Sequence, residues 1–247
     1  MFQAPVSRLA TASVLLAACG AAAAALAGPL YRIQLVELDL ALAMIAAGFA
    51  AGVLALVPAG VGFASTFGLH GKRGRGRALA GLALGLGVAV VAGPKVYAAV
   101  LGPNLHDLAT DTDDPPSYRA LAQAREQAGG DRAYPGGELA ERQAEAHPDL
   151  EARTYPQDVS AILSAAESAA LRLEWTVART DMQGGLEATA RSYWMGVIHD
   201  IVVRVEDTGD HRRVDVRAAT RGGEADVGGN ARLVRAFYDE LEAELQN

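Results

Sequence analysis

Lys72-Arg73-Gly74-Arg75-Gly76-Arg77 is a run of four basic residues and two glycines between two uncharged stretches. Residues 40–69 before it contain no Asp, Glu, Lys or Arg, and neither do residues 78–94 after it. A helix needs about 20 apolar residues to cross the hydrocarbon of a bilayer. Basic loops between such helices stay on the cytoplasmic side. The stretch therefore reads as a cytoplasmic turn between two membrane spans.

Working outward, three apolar segments fit the bilayer: residues 9–30, 40–66 and 78–101. The second contains Pro58, which predicts a tilt, a kink or an early end. The third carries Lys95 near its end, where a long side chain reaches the interface. With residues 72–77 inside, the third helix leaves the cytoplasm and places residues 104–247 outside. Arg8 then lies on the cytoplasmic side and the mixed Arg32/Glu37/Asp39 loop outside, so both basic clusters agree. The expected location is a bacterial inner membrane, multi-pass, with the C-terminal domain on the periplasmic side. Leu16-Ala17-Ala18-Cys19 has the look of a lipoprotein cleavage box. Because residues 21–26 stay apolar instead of forming a polar tether, Cys19 reads as part of an ordinary helix.

Charge divides the chain at the same place. Residues 1–103 hold seven basic and two acidic side chains, a net of +5. From the chain's 22 basic and 29 acidic residues, that leaves 15 and 27 for residues 104–247, a net of −12. So acidic a domain is a poor match for nucleic acid, whose phosphates need basic patches. The single cysteine allows no intrachain disulfide.

Residues 104–155 show little periodicity and read as an extended segment that wraps the domain after it, with short helices over 117–128 and 138–146. From residue 156 the patterns sharpen. Val159, Ile162, Leu163, Ala166 and Ala170 recur at helical spacing. Strands are expected over 173–180, 186–193, 197–205 and 213–220, with turns at Gly184-Gly185, Gly196 and Thr208-Gly209-Asp210. A last helix over 230–244 has Val234, Phe237, Tyr238, Leu241 and Leu245 as its apolar stripe. The expected fold is an N-terminal transmembrane region of three helices (1–103), the wrapping segment (104–155) and an α+β domain (156–247). In that domain an antiparallel sheet of about four strands is covered on one face by helices.

Certain residues also resemble a known family. Arg217-Ala-Ala-Thr-Arg221-Gly-Gly-Glu-Ala-Asp226-Val-Gly228-Gly-Asn230-Ala-Arg232 is similar to the C-terminal signature of the domain of unknown function family 1499. His106-Asp107 through Thr110-Asp111 to Pro115-Pro116 resembles its other marker, and Trp194-x-Gly196 with Val202-Val203-Arg204 also matches. The likeness covers about residues 105–241. It implies a fold and a membrane setting and no established reaction. Where the resemblance implies two adjacent acids, this chain has His199-Asp200.

The loop 220–232 is the leading site. Glycines at 222, 223, 228 and 229 permit unusual backbone angles, and the loop delivers the chain to a helix N-terminus, where exposed N–H groups favour an anion. Arg217, Arg221, Arg232 and Arg235 can supply charge-assisted hydrogen bonds to a phosphate or carboxylate. The same residues also fit a purely structural role, with Asp226 or Asn230 capping the helix and Arg221 pairing with Asp226. His199, Asp200, Asp107 and Asp111 complete the candidate set alongside Gly228. No metal or cofactor is expected: the His-Asp spacings are not a metal motif, and adjacent residues of a strand point to opposite faces. Trp175, Tyr193 and Trp194 fit core or edge packing, a pocket wall or, for Trp194, the lipid interface. Nucleophile-elbow, phosphate-loop and dinucleotide motifs do not occur. The expectation is a membrane-anchored, periplasm-facing binding or accessory module, recognising an anionic group or a membrane-protein partner. The alternative is a periplasmic hydrolase using His199, Asp200 and Asp226.

Overall fold

The computed structural model describes residues 5–67, 72–181, 185–223, 226 and 228–246. Leu69 at the end of the uncharged stretch, Gly184 of the expected turn, and Glu224, Ala225 and Val227 of the Gly-rich loop lie outside the described residues. The chain forms two compact units, 1–101 with 194–196, and 102–193 with 197–247.

The first unit is three helices: α1 (Arg8–Arg32), α2 (Leu38–Ala64) and α3 (Arg75–Leu101). All three are long and apolar enough to cross a membrane. Pro29, Pro58 and Pro94 lie within them, and each helix continues through its proline. Small residues let the backbones approach closely, the packing mode of helices in lipid. A Cβ on Gly20 would lie 2.8 Å from the Gly48 carbonyl oxygen, and one on Gly85 2.7 Å from that of Gly52. Large apolar side chains such as Leu15, Leu54, Val57 and Val90 face outward instead. That arrangement suits hydrocarbon as solvent. Residues 5–7 lie against the basic loop: the Ser7 N–H donates to the Arg73 carbonyl at 2.8 Å and the Arg73 N–H to that of Pro5 at 3.1 Å. Arg77 reaches Thr11 Oγ1 at 3.3 Å. Arg8 and residues 72–77 therefore share one end of the unit.

The second unit is built on one antiparallel sheet. Its elements are β1 (Asp107–Ala109), α4 (Ala122–Gln127), α5 (Gly137–Ala146), β2 (Arg153–Tyr155), α6 (Val159–Arg172), β3 (Thr176–Asp181), β4 (Gly185–Arg191), β5 (Ile198–Asp207), β6 (Arg212–Thr220) and α7 (Gly229–Leu245). The strand order is β1-β6-β5-β4-β3, with β2 also paired to β6. About four strands were expected and six are present among the described residues. The two extra strands lie in segment 104–155, and three residues carry no readable period. Asp107 pairs with Ala219 and Arg153 with Val214, so β1 and β2 together make one interrupted edge beside β6.

Two other boundaries differ from the sequence reading. The helix expected over 117–128 shrinks to α4, because the N–H groups of Arg119, Ala120 and Leu121 bind the Glu187 carboxylate instead of continuing a helix. Leu173 and Glu174 end α6 instead of starting β3. The Leu173 N–H donates to the Ala169 carbonyl, and Glu174 takes φ 59° to turn the chain.

One face of the sheet is apolar and packs on α6 and α7. Leu186, Ile201, Val203, Val214, Val216 and Ala218 are buried there against Ile162, Leu163, Val234, Phe237 and Leu241. Trp175 stacks on Phe237 with centroids 5.8 Å apart, a core role for that tryptophan. Buried Tyr238 donates its hydroxyl to the Val214 carbonyl at 2.9 Å, satisfying its polar end.

Candidate functional site

The opposite face of the sheet is charged. In β5 and β6 the period of two puts His199, Ile201, Val203 and Val205 on the helix side, and Asp200, Val202, Arg204 and Glu206 on the other. Register with β6 places Asp200 beside Ala219, Val202 beside Arg217 and Arg204 beside Asp215. Unsupported, this charged face would be solvated. Instead Asp200, Asp215 and Arg217 are buried, because segment 110–135 lies over them.

Arg217 is the centre of that contact. Its Nε donates to Asp107 Oδ1 at 2.9 Å and its Nη2 to Oδ2 at 2.7 Å, a bidentate pair. The remaining nitrogen, Nη1, donates to the carbonyls of Pro116 and Arg132 at 3.2 and 3.1 Å. Tyr118 lies flat between two guanidiniums, 4.8 Å from that of Arg217 and 4.5 Å from that of Arg125. Its hydroxyl donates to the backbone carbonyl of Asp200 at 2.9 Å. Burial raises the Tyr118 pKa well above the usual phenol range, with Asp107 adding to the rise. Tyr134, on the other side of Arg217, is pushed up to about 12 for the same two reasons.

Asp200 is held from three sides. Arg221 takes it in a fork, with Nη2 at 2.6 Å from Oδ1 and Nε at 3.1 Å from Oδ2. Arg125, itself buried, lies 3.4 Å from Oδ2, and Thr189 Oγ1 donates to Oδ1 at 3.2 Å. Further along, Arg204 donates to Asp215 at 2.9 Å and to Asp114 at 2.8 Å. Arg213 pairs with Asp111, whose other oxygen accepts the N–H groups of Asp113 and Asp114. Burial acts to raise the Asp111 pKa, but those N–H groups and Arg213 outweigh it and hold the carboxyl below its ordinary value.

A second cluster occupies the helix side at the start of α7. His199 Nδ1 is 2.8 Å from Asn230 Oδ1, and Asn230 Nδ2 donates to the Leu105 carbonyl at 3.0 Å. That second bond orients the amide, so the imidazole is the donor at Nδ1. Asp226 caps the helix by accepting the N–H groups of Gly229 and Asn230 at 2.7 and 3.1 Å. Gly228 supplies the left-handed turn, with φ 78°. Gly229 must lack a side chain, since a Cβ there would lie 2.8 Å from His199 Cε1 and 2.9 Å from Asp226 Oδ1. Burial raises the Asp226 pKa, while His199, the two N–H groups and Arg232 oppose the rise.

The ten candidate residues thus fall into separate places. Asp107, Asp200, Arg217 and Arg221 meet on the charged face, with Asp111 farther along it. His199, Asp226, Gly228 and Asn230 meet on the helix side, so His199 and Asp200 do not form one site. Arg232 is exposed on α7, where it donates to the Gly228 carbonyl at 3.0 Å. Arg221 pairs with Asp200, not with Asp226. Sequence reasoning missed Arg125, Tyr118, Glu187 and Asp215. Glu187 and Asp215 alternate with apolar neighbours and so resemble solvent-facing strand positions, while Arg125 sits in a segment without a period. Chemically, the forks of Arg217 and Arg221 are occupied by protein carboxylates, and an added anion would have to displace Asp107 or Asp200. Among the described residues, no group of three or more His, Cys, Asp or Glu side chains converges as a metal site.

A buried pair is costly to break from one side, about 3–5 kcal/mol, because it leaves a charge without a partner. Asp107→Asn is therefore expected to lower the unfolding free energy of the full chain by about 3–5 kcal/mol. The double replacement Asp107→Leu with Arg217→Met should recover most of that loss, as read by urea denaturation in detergent. A pH effect follows from His147, which lies 3.2 Å from Arg235. Burial first and Arg235 second lower its pKa, against the pull of Asp149 and Asp226. A depressed imidazole favours folding where it is neutral, so its contribution is present above the ordinary value of 6.5 and is lost as pH falls below it. His147→Gln should flatten that part of the stability profile.

Comparison with known proteins places these residues in a family. No curated protein matches the chain. The family described as protein of unknown function (DUF1499) matches residues 107–241, from the first residue of β1, the partner of Arg217, to the last buried leucine of α7. Both the charged clamp and the His199–Asn230–Asp226 cluster lie inside that span, and the chain belongs to this family.

Proposed function

We propose that this protein is a membrane-anchored binding or accessory module whose C-terminal domain faces the periplasm. The observation that carries the orientation is the charge at the two ends of the helical unit. Arg8, Lys72, Arg73, Arg75 and Arg77 collect at one end without an acidic residue. Arg32, Lys95, Glu37 and Asp39 at the other end cancel. By the positive-inside rule the first end is cytoplasmic and residues 104–247 are exported across a bacterial inner membrane.

The internal pairing of the charged residues supports docking over catalysis. Arg217, Arg221, Asp107 and Asp200 hold one another, which leaves a membrane-protein partner as the better-supported target than a free anion. Arg232 is the member of the signature set that faces outward. The alternative, a hydrolase using His199, Asp200 and Asp226, has less support. His199 is only 5% exposed and points to the opposite side of β5 from Asp200.

A phosphatase fused after Asn247 should be active and a cytoplasmic reporter at the same position inactive; the reverse pattern contradicts the orientation. Crosslinking in native membranes followed by purification of the full chain should recover a stoichiometric membrane protein. Arg232→Ala should reduce that capture while changing stability by less than about 0.5 kcal/mol, as for other surface substitutions. Recovery of the chain alone, together with a hydrolytic activity lost in His199→Ala, would favour the enzyme.

A further inference from the structure

The helical unit contains a cavity that its own packing does not fill. The three helices close on one another at Gly20 with Gly48, at Gly52 with Gly85, and at Ser13 with Gly81. Farther along, Ala21 and Ala25 of α1 and Gly87 and Val91 of α3 line a common space that their side chains do not fill. Between them runs a groove of about 600 Å³, floored by Ile45 of α2. That volume is within the range of small-molecule sites. A Cβ built on Gly87 would meet no atom within 4 Å, so this residue borders open space.

The groove is chemically lopsided. Its walls are carbon, yet Lys95 and Trp194 stand together in its lining, with the ammonium 5.6 Å from the ring centroid. A lysine toward the end of a membrane helix, as Lys95 is in α3, with a tryptophan beside it suits the headgroup level, where an ammonium reaches water and an indole bridges apolar and polar layers. A long apolar slot with one cation at headgroup depth complements an amphiphile with an anionic head and a hydrocarbon tail.

We propose that this groove holds one acyl chain of an anionic phospholipid, with the lipid phosphate at Lys95 Nζ. The lipid completes the packing that alanine and glycine leave undone between α1 and α3, and Trp194 lies against its glycerol region. The proposal rests on the helices spanning the membrane, which fractionation of the same cells checks separately: a chain absent from the membrane fraction defeats that reading before any lipid is measured.

The test is native mass spectrometry of the full chain released from nanodiscs containing equal parts phosphatidylglycerol and phosphatidylcholine. The wild-type chain should retain a stoichiometric lipid, with phosphatidylglycerol enriched about fivefold, the preference that one lysine gives near a membrane surface. Lys95→Gln should keep a bound lipid and lose the enrichment. Gly87→Phe, whose ring projects into the groove and not into a neighbouring helix, should lose the lipid while the melting temperature holds. Four results would overturn the proposal: no retained lipid, equal retention of the two headgroups by the wild type, unchanged retention in Gly87→Phe, or a partner helix recovered in place of lipid.

Discussion

The C-terminal domain depends on the buried contact between Arg217 and Asp107, residues 110 positions apart in the chain. A sheet with one apolar face needs only that face covered. This sheet carries Asp200, Asp215, Arg204, Arg217 and Glu187 on its other face, and such groups are stable out of water only when each finds its complement. Segment 110–135 supplies the complements: Tyr118 between two guanidiniums, Arg125 on Asp200, Asp111 and Asp114 on the arginines, and three backbone N–H groups on Glu187. The interaction is mutual. Without the charges the segment has too few apolar side chains to stay, and without the segment the charges have no reason to be buried.

This explains why an arginine-rich signature in a loop can be structural. Arginine forks suit phosphate, but they suit carboxylate equally well, and here Asp107 and Asp200 occupy the positions a ligand would take. The cluster around His199 follows the same logic. Asp226 caps α7, Asn230 ties the helix to the carbonyl of Leu105, and Gly229 allows the imidazole to approach. The stretch from Arg217 to Asn230 therefore closes the two faces of the sheet, while Arg232 lies exposed on α7.

Much of the fold is legible in the sequence, because its signals are local. Apolar length gives the three helices, the period of two gives β4 to β6, and the stripe from Val234 to Leu241 gives α7. The missing strands β1 and β2 are too short to carry a period, and only β6 makes them strands. The site is less legible for a related reason. Asp107, Asp200, Arg217 and Arg221 are recognisable as a set, but nothing local says that they face each other and not a ligand. Arg125 and Glu187 give no signal at all. Their roles depend on partners 75 and more than 60 residues away.

The central claim is that residues 107–125 fold as one cooperative piece with the sheet, held by buried ion pairs. Amide hydrogen exchange of the full chain tests this most directly, because the backbone N–H groups of Arg119, Ala120 and Leu121 donate to the Glu187 carboxylate and not to a helix or strand carbonyl. The account predicts that peptides spanning these residues exchange as slowly as those from β5 and β6, through the same global opening. Exchange at the rate of an exposed loop, with the strands still protected, would contradict it.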